Sequence, residues 1–545
     1  MKWELYRPED RARWWLREEL YTISPRTPLS KAIINDLCWD EGAVAIGEYL
    51  NFPDSIGFSV RTINGYTFLS PIPITDPNRI QQRLEHFMAR MSELQANLDR
   101  NLKAYHEEQE REQAYWRGID LGNLATMELL EQWRRMINTL YRFWKLHFMI
   151  VFPRHAIQGT LETTVQELAS VPTSEIGKLV QSMGRTRQLE LDASLWKLAK
   201  RAIQLGLRDT FLNTMEEDLQ QALELTESGK AWLVELRAFL ERYGSRSPNS
   251  LELFEPAWDE NPMPVLNTVR SYIAQGGEFD FDRLMREKRA ERDEFTRSVL
   301  AKITNVEARE RVEGMLEPSR KFQAAMEDDN FYFLWANIQM RRVAKECGVR
   351  LVSCGVLAEP DDVFFLEPRE IEQSLFDAVV DTYDLRQIAA QVRHRRAEWE
   401  DQSATQPPPY IGNPPEIIED FMMNHFWGIK TRQQLEESSS GNLTGSGASG
   451  GVVEGVARLV MNPVDFGHVQ PGEVLVCRST NPAWTPLFSK VSAVVTDQGG
   501  TLCHAAIVAR EYGIPAVVGT IHGTRRISEG AKVRVDGSAG TVILL

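Results

Sequence analysis

The hydrophobic pattern of the chain changes once, between residues 430 and 452, and this change limits the fold more than any other feature. Up to about residue 430, apolar residues recur every three or four positions among many Leu, Glu, Arg and Gln, which predicts long amphipathic helices. From residue 452 onwards, short β-branched runs alternate with turns, which predicts strands joined by short helices. We therefore expect a multidomain protein with a mainly α-helical N-terminal part and a compact β/β/α C-terminal domain.

Two tracts of biased composition separate these parts. One is the Pro-rich QPPPYIGNPP (406–415), and the other is the Gly/Ser-rich SSSGNLTGSGASGG (438–451). Because Pro-rich segments are stiff and Gly/Ser segments are flexible, we assign 1–435 to the helical domain, 436–451 to a linker or hinge, and 452–545 to the C-terminal domain. An ordinary surface loop is the alternative for the Gly/Ser tract.

The helical part contains two clear helix patterns and one exception. Residues 80–118 and 125–152 have the most regular helical spacing, with a break predicted at 118–123 around two glycines. Residues 57–72, in contrast, place Val, Ile, Tyr and Phe on both sides of an Asn-Gly pair, the strongest short signal for a hairpin. The sequence therefore predicts a small β-hairpin region inside the helical domain.

The composition excludes several classes of partner. Of 545 residues, 43% are hydrophobic and 26% are charged, as in folded proteins, and the net charge is -15. Because this charge repels phosphate backbones and anionic bilayers, we expect no nucleic acid and no membrane partner. The five cysteines form no C-x-x-C pair, and no apolar run is long enough to cross a bilayer. We therefore expect a cytoplasmic protein with no metal site.

The stretch VVTDQGGTLCHAAIVAREYGIPAVVG (494–519) carries the strongest chemical signal. It predicts a strand, a Gly-Gly turn, a helix that begins at His504, and a return strand. Glycines allow close backbone approach, and the N-H groups of a first helical turn favour a phosphate. The same positive helix end disfavours imidazolium, so His504 should be neutral, with a free ring nitrogen that can attack phosphorus.

This stretch resembles the phosphohistidine, or swivelling, domain of the PEP-utilising enzymes. The similarity spans 443–545 and includes EGVAR, PGEVLV, TNPAWTPLF and VRVDGSAGTV. It implies that His504 carries a phosphoryl group, with a phosphate loop that contains or adjoins Gly499, Gly500, Thr501, Cys503 and Arg510. The chain departs from the family pattern two residues before the histidine, where the usual Thr is replaced by Leu502.

Cys503 is an alternative nucleophile beside His504. Helix starts lower thiol pKa values, which would favour a reactive thiolate there. The resemblance argues against this interpretation, because the phosphoenolpyruvate synthase type of motif also has a Cys beside its working histidine. We therefore assign nucleophilic attack to His504.

The chain contains no recognisable site for ATP or phosphoenolpyruvate. No Gly-rich loop stands between a strand and a helix as a Walker-type loop would, and only 41 residues follow His504. The resemblance implies that a separate ATP-grasp subunit binds ATP and Mg²⁺ and charges the histidine. We expect no cofactor on this chain alone and no reaction with phosphoenolpyruvate.

The helical part resembles the substrate domain of rifampicin phosphotransferase and the related part of the phenylphosphate synthase alpha subunit. The motifs that carry this similarity are SPRTPLS, RTINGYTF, DDNFYFLWANIQMRRVAKECGVRL, LAEPDDVFFLEPREI and HRRAEWEDQSATQPPPYIG. Arg341 and Lys345 lie one helical turn apart in the third motif and could face one phosphoryl group, although a solvated basic face explains them equally well. His147, His155 and His425 are candidates for the base that deprotonates an acceptor, and the sequence does not choose among them.

These observations predict the acceptor-binding and phosphohistidine-carrier subunit of an ATP-dependent, dikinase-like phosphotransferase. The expected acceptor is a small aromatic hydroxyl compound, as in phenylphosphate synthase, and the ATP-grasp subunit is expected in trans. One alternative is an antibiotic or natural-product hydroxyl phosphorylated by the same mechanism. The other is a noncatalytic phosphocarrier or regulatory protein.

Overall fold

The computed structural model describes residues 3, 5, 7–181, 186–247, 249–274, 276, 281–380, 385–420, 423–424, 427–436, 442–461, 463–481, 484–501 and 503–545. The chain forms two compact units. Unit 1 consists of Met1–Pro153, Asn249–Glu255 and Asp329–Pro414, and unit 2 consists of Arg154–Pro248, Pro256–Asp328 and Pro415–Leu545.

Helices make up most of the described chain. In chain order they are α1 (Pro8–Arg11), α2 (Pro28–Ser30), α3 (Gly42–Leu50), α4 (Pro77–Ala96), α5 (Leu98–Arg117), α6 (Thr126–Ala169), α7 (Thr173–Ile176), α8 (Arg187–Gln204), α9 (Arg208–Asn213), α10 (Leu219–Glu224), α11 (Glu227–Tyr243), α12 (Met263–Ala274), α13 (Phe281–Lys302), α14 (Val306–Ser353), α15 (Pro368–Val380), α16 (Leu385–Ser403), α17 (Arg432–Leu435), α18 (Thr485–Phe488), α19 (His504–Tyr512) and α20 (Gly523–Arg526). A π-helical segment, Lys31–Glu41, joins α2 to α3, and short 3-10 turns lie at Leu121–Asn123, Gly177–Val180, Pro360–Phe365 and Pro463–His468.

The strands form two sheets, one in each unit. They are β1 (Trp15–Arg17), β2 (Ser55–Ile63), β3 (Tyr66–Pro73), β4 (Tyr410–Ile411), β5 (Leu443–Thr444), β6 (Ser446–Ser449), β7 (Val452–Leu459), β8 (Val474–Cys477), β9 (Ala493–Thr496), β10 (Ala516–Val518), β11 (Lys532–Asp536) and β12 (Thr541–Leu544). The sheet of unit 1 has the order β2-β3-β1-β4, and the sheet of unit 2 has the order β5-β12-β11-β7-β8-β9-β10-β6.

The predicted hairpin forms in unit 1. Strands β2 and β3 pair antiparallel, and Ile63 lies opposite Tyr66 at the turn. The two turn residues, Asn64 and Gly65, have φ angles of 47° and 80°. Two positive φ angles are what a two-residue turn between twisted strands requires, so the Asn-Gly pair determines the register. The structure adds β1 and β4 to this hairpin, which the sequence did not indicate.

The two predicted long helices form with altered limits. The segment 80–118 forms α4 and α5, which are separated at Asn97, where φ is -109° and ψ is 11°. The Asn97 side chain donates to the carbonyl of Glu93 at 2.9 Å, a local bond that competes with helix continuation. The segment 125–152 extends to Ala169, with Pro153 inside α6.

The C-terminal sheet explains the apolar runs at the end of the chain. Strands β7, β8, β9 and β10 are parallel in the middle of the sheet. Every residue of β8 and β9 is buried, because central parallel strands are covered on both faces. Helix α19 connects β9 to β10, so its first residue lies beyond the C-terminal end of β9. Ligand sites of parallel sheets commonly lie at this edge.

The structure differs from the prediction for the linker at 436–451. Strand β5 pairs with β12, and β6 pairs with β10, so both belong to the sheet. A methyl group on Gly445 or Gly447 would lie 2.5 Å from a backbone carbonyl oxygen of a neighbouring segment. The glycines therefore allow close backbone approach at this place. Residues 437–441, which belong to the same predicted linker, lie outside the described residues.

None of the helices described here contains an apolar stretch long enough to cross a lipid bilayer.

Candidate active site

His504 is the first residue of α19, as the sequence predicts. Cys503 precedes it with extended backbone angles, φ -75° and ψ 165°, and Gly513 ends the helix in the left-handed conformation. Gly499 has a φ of 118°, which L side chains rarely adopt. The local sequence therefore produces a tight loop followed by a helix start, with the imidazole at the junction.

Two threonine hydroxyls lie against the two ring nitrogens of His504. Thr480 Oγ1 is 2.8 Å from Nδ1, and Thr485 Oγ1 is 3.4 Å from Nε2. Phe488 contacts the ring edge-on, with the ring centroids 6.2 Å apart. A threonine hydroxyl can donate or accept at either nitrogen, and we adopt the tautomer in which Nδ1–H donates to Thr480. This tautomer leaves the lone pair on Nε2, which is the nitrogen that can attack phosphorus.

The environment keeps this imidazole neutral. Burial, followed by the positive charge of Arg246, lowers the pKa of His504 from 6.5 to about 3. The direction agrees with the sequence prediction, but the sequence argument used the helix dipole alone. Desolvation is the larger cause in the folded chain.

We predict that the His504 ring does not titrate between pH 5 and 8. The imidazolium form would have to exist among buried groups and near a guanidinium, which raises its free energy. Histidine-selective NMR, with the signal assigned by its loss in His504→Ala, measures this directly. A titration midpoint near the ordinary value of about 6.5 would contradict the assignment of a desolvated, neutral nucleophile.

The predicted phosphate-loop residues Thr501 and Arg510 lie beside His504 but hold the loop in place. Arg510 Nη2 donates to the carbonyl of Thr501 at 2.9 Å, and Nη1 donates to the carbonyl of Ala448 at 3.0 Å. The Thr501 hydroxyl donates to Glu162 Oε2 at 3.4 Å. These bonds connect the loop to β6 through Arg510 and to α6 through Thr501. Both side chains therefore stabilise the position of the loop.

The two loop glycines have different surroundings. The carbonyl oxygen of Gly499 would lie 2.6 Å from a methyl group on Gly428 and 2.7 Å from one on Gly519. Gly500 accepts a hydrogen bond from the Cys503 amide at 3.1 Å. The loop is therefore packed between backbone segments, which makes its shape well defined. Leu502, the departure from the family pattern, lies outside the described residues.

Cys503 is buried beside the histidine. Burial raises the pKa of the Cys503 thiol above its ordinary value, so the thiolate is disfavoured. This environment supports His504 as the nucleophile and leaves Cys503 a packing role.

Arg341 and Lys345 both lie on α14 in unit 1 but have different environments. Arg341 is buried, and its Nη1 donates to the carbonyls of Leu253 and Phe254, each at 2.8 Å. Lys345 is partly exposed, and its Nζ lies 3.7 Å from Asp361 Oδ1. The helix brings the two cations one turn apart, as predicted, but it does not direct them at one common point.

The histidine candidates for the acceptor base are distinguished by their partners. His147 Nδ1 lies 2.6 Å from the buried Asp329 Oδ2, and its ring stacks on Phe333 with the centroids 4.1 Å apart. His155 is fully buried in unit 2. His425 lies outside the described residues. A carboxylate partner orients an imidazole, so the ring of His147 is held in a defined orientation; the choice of acceptor base stays a prediction.

Several residues around His504 were not singled out from the sequence, although two of them, Thr480 and Thr485, lie in the TNPAWTPLF motif. Thr480 and Thr485 approach the ring from outside its motif, and Arg246 and Glu327 come from the helical part of unit 2. Among the described residues, no group of three or more His, Cys, Asp or Glu side chains is arranged to hold a metal ion.

Two protein families match parts of the chain. Residues 469–540 match the family described as PEP-utilising enzyme, mobile domain, and residues 147–327 match the rifampicin phosphotransferase fourth domain. The first match contains His504 and its loop. The second contains α8, α11 and the part of α14 that belongs to unit 2, including Arg246 and Glu327.

Curated relatives are similar over larger parts of the chain. It is 30% identical over 414 residues to the uncharacterized phosphotransferase YvkC of Bacillus subtilis, covering 73% of this chain and 47% of the relative. It is 29% identical over 575 residues to chondramide synthase cmdD of Chondromyces crocatus, covering 100% of this chain and 14% of the relative. It is 29% identical over 335 residues to a rifampicin phosphotransferase of Streptomyces sviceus, covering 61% of this chain and 36% of the relative.

The chain thus spans less than half the length of each of these relatives. Residues 469–540 are thus similar to the mobile domain of PEP-utilising enzymes, and larger parts of the chain are similar to phosphotransferases.

Proposed function

We propose that this chain binds an acceptor and carries a phosphoryl group on His504 in an ATP-dependent phosphotransferase. The observation that carries the proposal is the neutral imidazole at a helix start, with Nδ1 held by Thr480 and Nε2 available for attack. The first proposed acceptor is a small aromatic hydroxyl compound. The proposed phosphoryl donor is ATP bound with Mg²⁺ on an ATP-grasp partner subunit.

The geometry accounts for both halves of the transfer. In the charging half, the Nε2 lone pair forms a bond to phosphorus, and the phosphorus–oxygen bond of the donor breaks with its electrons going to oxygen. In the discharging half, an acceptor oxygen attacks phosphorus, and the electron pair of the P–N bond returns to Nε2. Because Nδ1–H donates to Thr480 throughout, no ring proton has to move in either direction.

A natural-product hydroxyl is the second candidate acceptor. The observation in its favour is that several relatives carry the name rifampicin phosphotransferase, including those from Streptomyces sviceus and Bacillus subtilis. The match to the fourth domain of that enzyme covers 147–327, which includes the helices around His504. Such an acceptor uses the same phosphohistidine chemistry and changes only the substrate.

The test combines the chain with candidate ATP-grasp proteins, Mg²⁺ and ATP labelled on the β-phosphate. We expect acid-labile label on the chain and its transfer to phenols, or to rifampicin if the second candidate is right. Label that forms and is never discharged by either class would indicate a noncatalytic phosphocarrier. The absence of label with every partner would contradict the proposal.

A further inference from the structure

A small cavity lies against the face of α19 that carries His504. Its volume is about 40 Å³. The residues that line it are Thr186, Leu189, Asp192, Gln323, Ala324, Glu327, Thr485, Ile507, Val508, Glu511 and Tyr512. All of them belong to unit 2. Three of them carry carboxylates, namely Asp192, Glu327 and Glu511.

The cavity is connected to His504 through a shared helical face and through Thr485, although His504 itself does not line it. Ile507, Val508 and Glu511 follow His504 by three, four and seven positions, so they share its helical face. Thr485 also lines the cavity, and its hydroxyl is the group 3.4 Å from Nε2. Thr485 thus separates Nε2, the nitrogen that would carry the phosphoryl group, from this space by one side chain.

Glu327 forms part of the cavity wall contributed by α14, and a chain of hydrogen bonds orients it. Gln323 Nε2 donates to Glu327 Oε1 at 3.2 Å. The other end of the same amide, Oε1, accepts from Arg154 at 3.0 and 2.8 Å and from Gln158 at 3.0 Å. Because cationic and amide donors occupy the oxygen of Gln323, its NH₂ group must point to Glu327. The carboxylate is thus held in place before any ligand enters.

The electrostatic surroundings suit this carboxylate to proton transfer near neutral pH. Burial raises the pKa of Glu327 to about 7, with Arg154 acting in the opposite direction. Asp192 and Glu511 line the same cavity as Glu327. The negative charges of Glu511 and Asp328 also raise the pKa of Glu327, and the positive charge of Arg246 lowers it. A base with a pKa near the working pH is the most effective in general-base catalysis.

The size of the cavity limits what can enter. A cavity needs roughly 10–15 Å³ of volume open to a water-sized probe to hold one water molecule, and this one has about 40 Å³. It therefore has room for a water molecule or for the hydroxyl end of a larger compound, whose remaining atoms would lie outside it.

We propose that a hydroxyl group enters this cavity and that Glu327 accepts its proton as the hydroxyl oxygen attacks the phosphoryl group on His504. This inference rests on the proposed function. The O–H proton passes to the carboxylate, the new O–P bond forms, and the P–Nε2 electron pair returns to the imidazole. The products are a phosphate ester, or inorganic phosphate when water attacks, together with neutral His504 and protonated Glu327, which releases its proton to solvent.

The test measures discharge separately from charging. Wild-type chain is phosphorylated on His504 with potassium phosphoramidate, freed of reagent, and followed as it loses phosphate in water with and without methanol. For the wild type we expect the rate to rise with pH through about 7, and methanol to yield methyl phosphate. Glu327→Gln removes the base but keeps the shape, and we expect loss of the rise and a rate roughly 10²- to 10⁴-fold lower at pH 8.

Glu313→Gln is the matched control, because Glu313 is an exposed carboxylate on the same helix; it should keep the wild-type profile. Thermal unfolding of wild type, Glu327→Gln and Glu313→Gln verifies that all three are folded. Glu327→Asp keeps a carboxylate and should recover part of the rise of the discharge rate with pH. Equal rates and profiles for wild type and Glu327→Gln would overturn this inference alone. Failure of His504 to take up phosphate at all would overturn the proposed function and this inference with it.

Discussion

Replacing His504 by Ala is expected to abolish uptake of acid-labile phosphate by the chain. His504 combines a neutral imidazole with a position at a helix start, and a hydroxyl contacts each of its ring nitrogens. Cys503 does not substitute for it, because burial disfavours its thiolate. The measurement is incorporation of phosphate from potassium phosphoramidate and from labelled ATP with a partner subunit, quantified before and after acid treatment.

The matched control for this prediction is His468→Ala. His468 is an exposed histidine of the same domain and lies outside the loop, so its loss should leave incorporation at the wild-type level. The His504→Ala chain should still fold, because the change removes the contacts of one side chain with Thr480, Thr485 and Phe488, and each hydrogen bond is worth only about 1 kcal/mol. Acid-labile phosphate that persists on His504→Ala would place the phosphoryl group on a different residue.

The position of His504 could be predicted because every signal for it is local. The strand β9, the glycine with a positive φ, the helix start and the left-handed Gly513 lie within about twenty consecutive residues. Each follows from the conformational preference of its own residue type. The sequence therefore predicted the helix that begins at His504 and the direction of its pKa shift, while its role as nucleophile stays a prediction.

The residues around the imidazole could not be predicted in the same way. Thr480 and Thr485 contact His504 from a loop and a short helix, and Arg246 acts on it through tertiary packing. Glu327 lines the cavity that Thr485 also lines. No periodicity or spacing in the sequence encodes such contacts. Only histidines were candidates for the acceptor base in the sequence, and Glu327 was not among them. A glutamate on a charged helix resembles an ordinary surface residue until its burial is known.

The acceptor-side cations show a related limit. Helical spacing correctly placed Arg341 and Lys345 one turn apart on α14. Spacing does not reveal which part of the helix is covered, and Arg341 donates to two backbone carbonyls while Lys345 lies beside Asp361. Their role toward a phosphoryl group stays a prediction.

Composition misled the interpretation of residues 443–449. A Gly/Ser tract without apolar periodicity is typical of flexible linkers, yet here β5 and β6 are short strands of the sheet. Their small residues serve close packing between backbones, as the positions of Gly445 and Gly447 show. Glycine content alone does not distinguish flexibility from close approach.

Replacing Gly537 by Ala tests this interpretation and should destabilise the C-terminal domain strongly. A methyl group at Gly537 would lie 1.9 Å from the carbonyl oxygen of Ser449 in β6 and 2.8 Å from the amide nitrogen of Ala516 in β10. Both atoms belong to paired strands, so no side-chain rotation relieves the overlap. We expect a loss of about 3 kcal/mol in the free energy of unfolding of this domain, with faster hydrogen exchange in residues 442–451.

Gly467→Ala is the control in the same domain, because a methyl group there meets no atom within 4 Å. It should change the free energy of unfolding by less than about 0.5 kcal/mol. Thermal unfolding and hydrogen exchange with mass spectrometry compare the two variants. If Gly537→Ala unfolds like Gly467→Ala and residues 442–451 exchange equally fast in both, β6 is not anchored against β10. The flexible linker that the composition suggests would then extend to the start of β7.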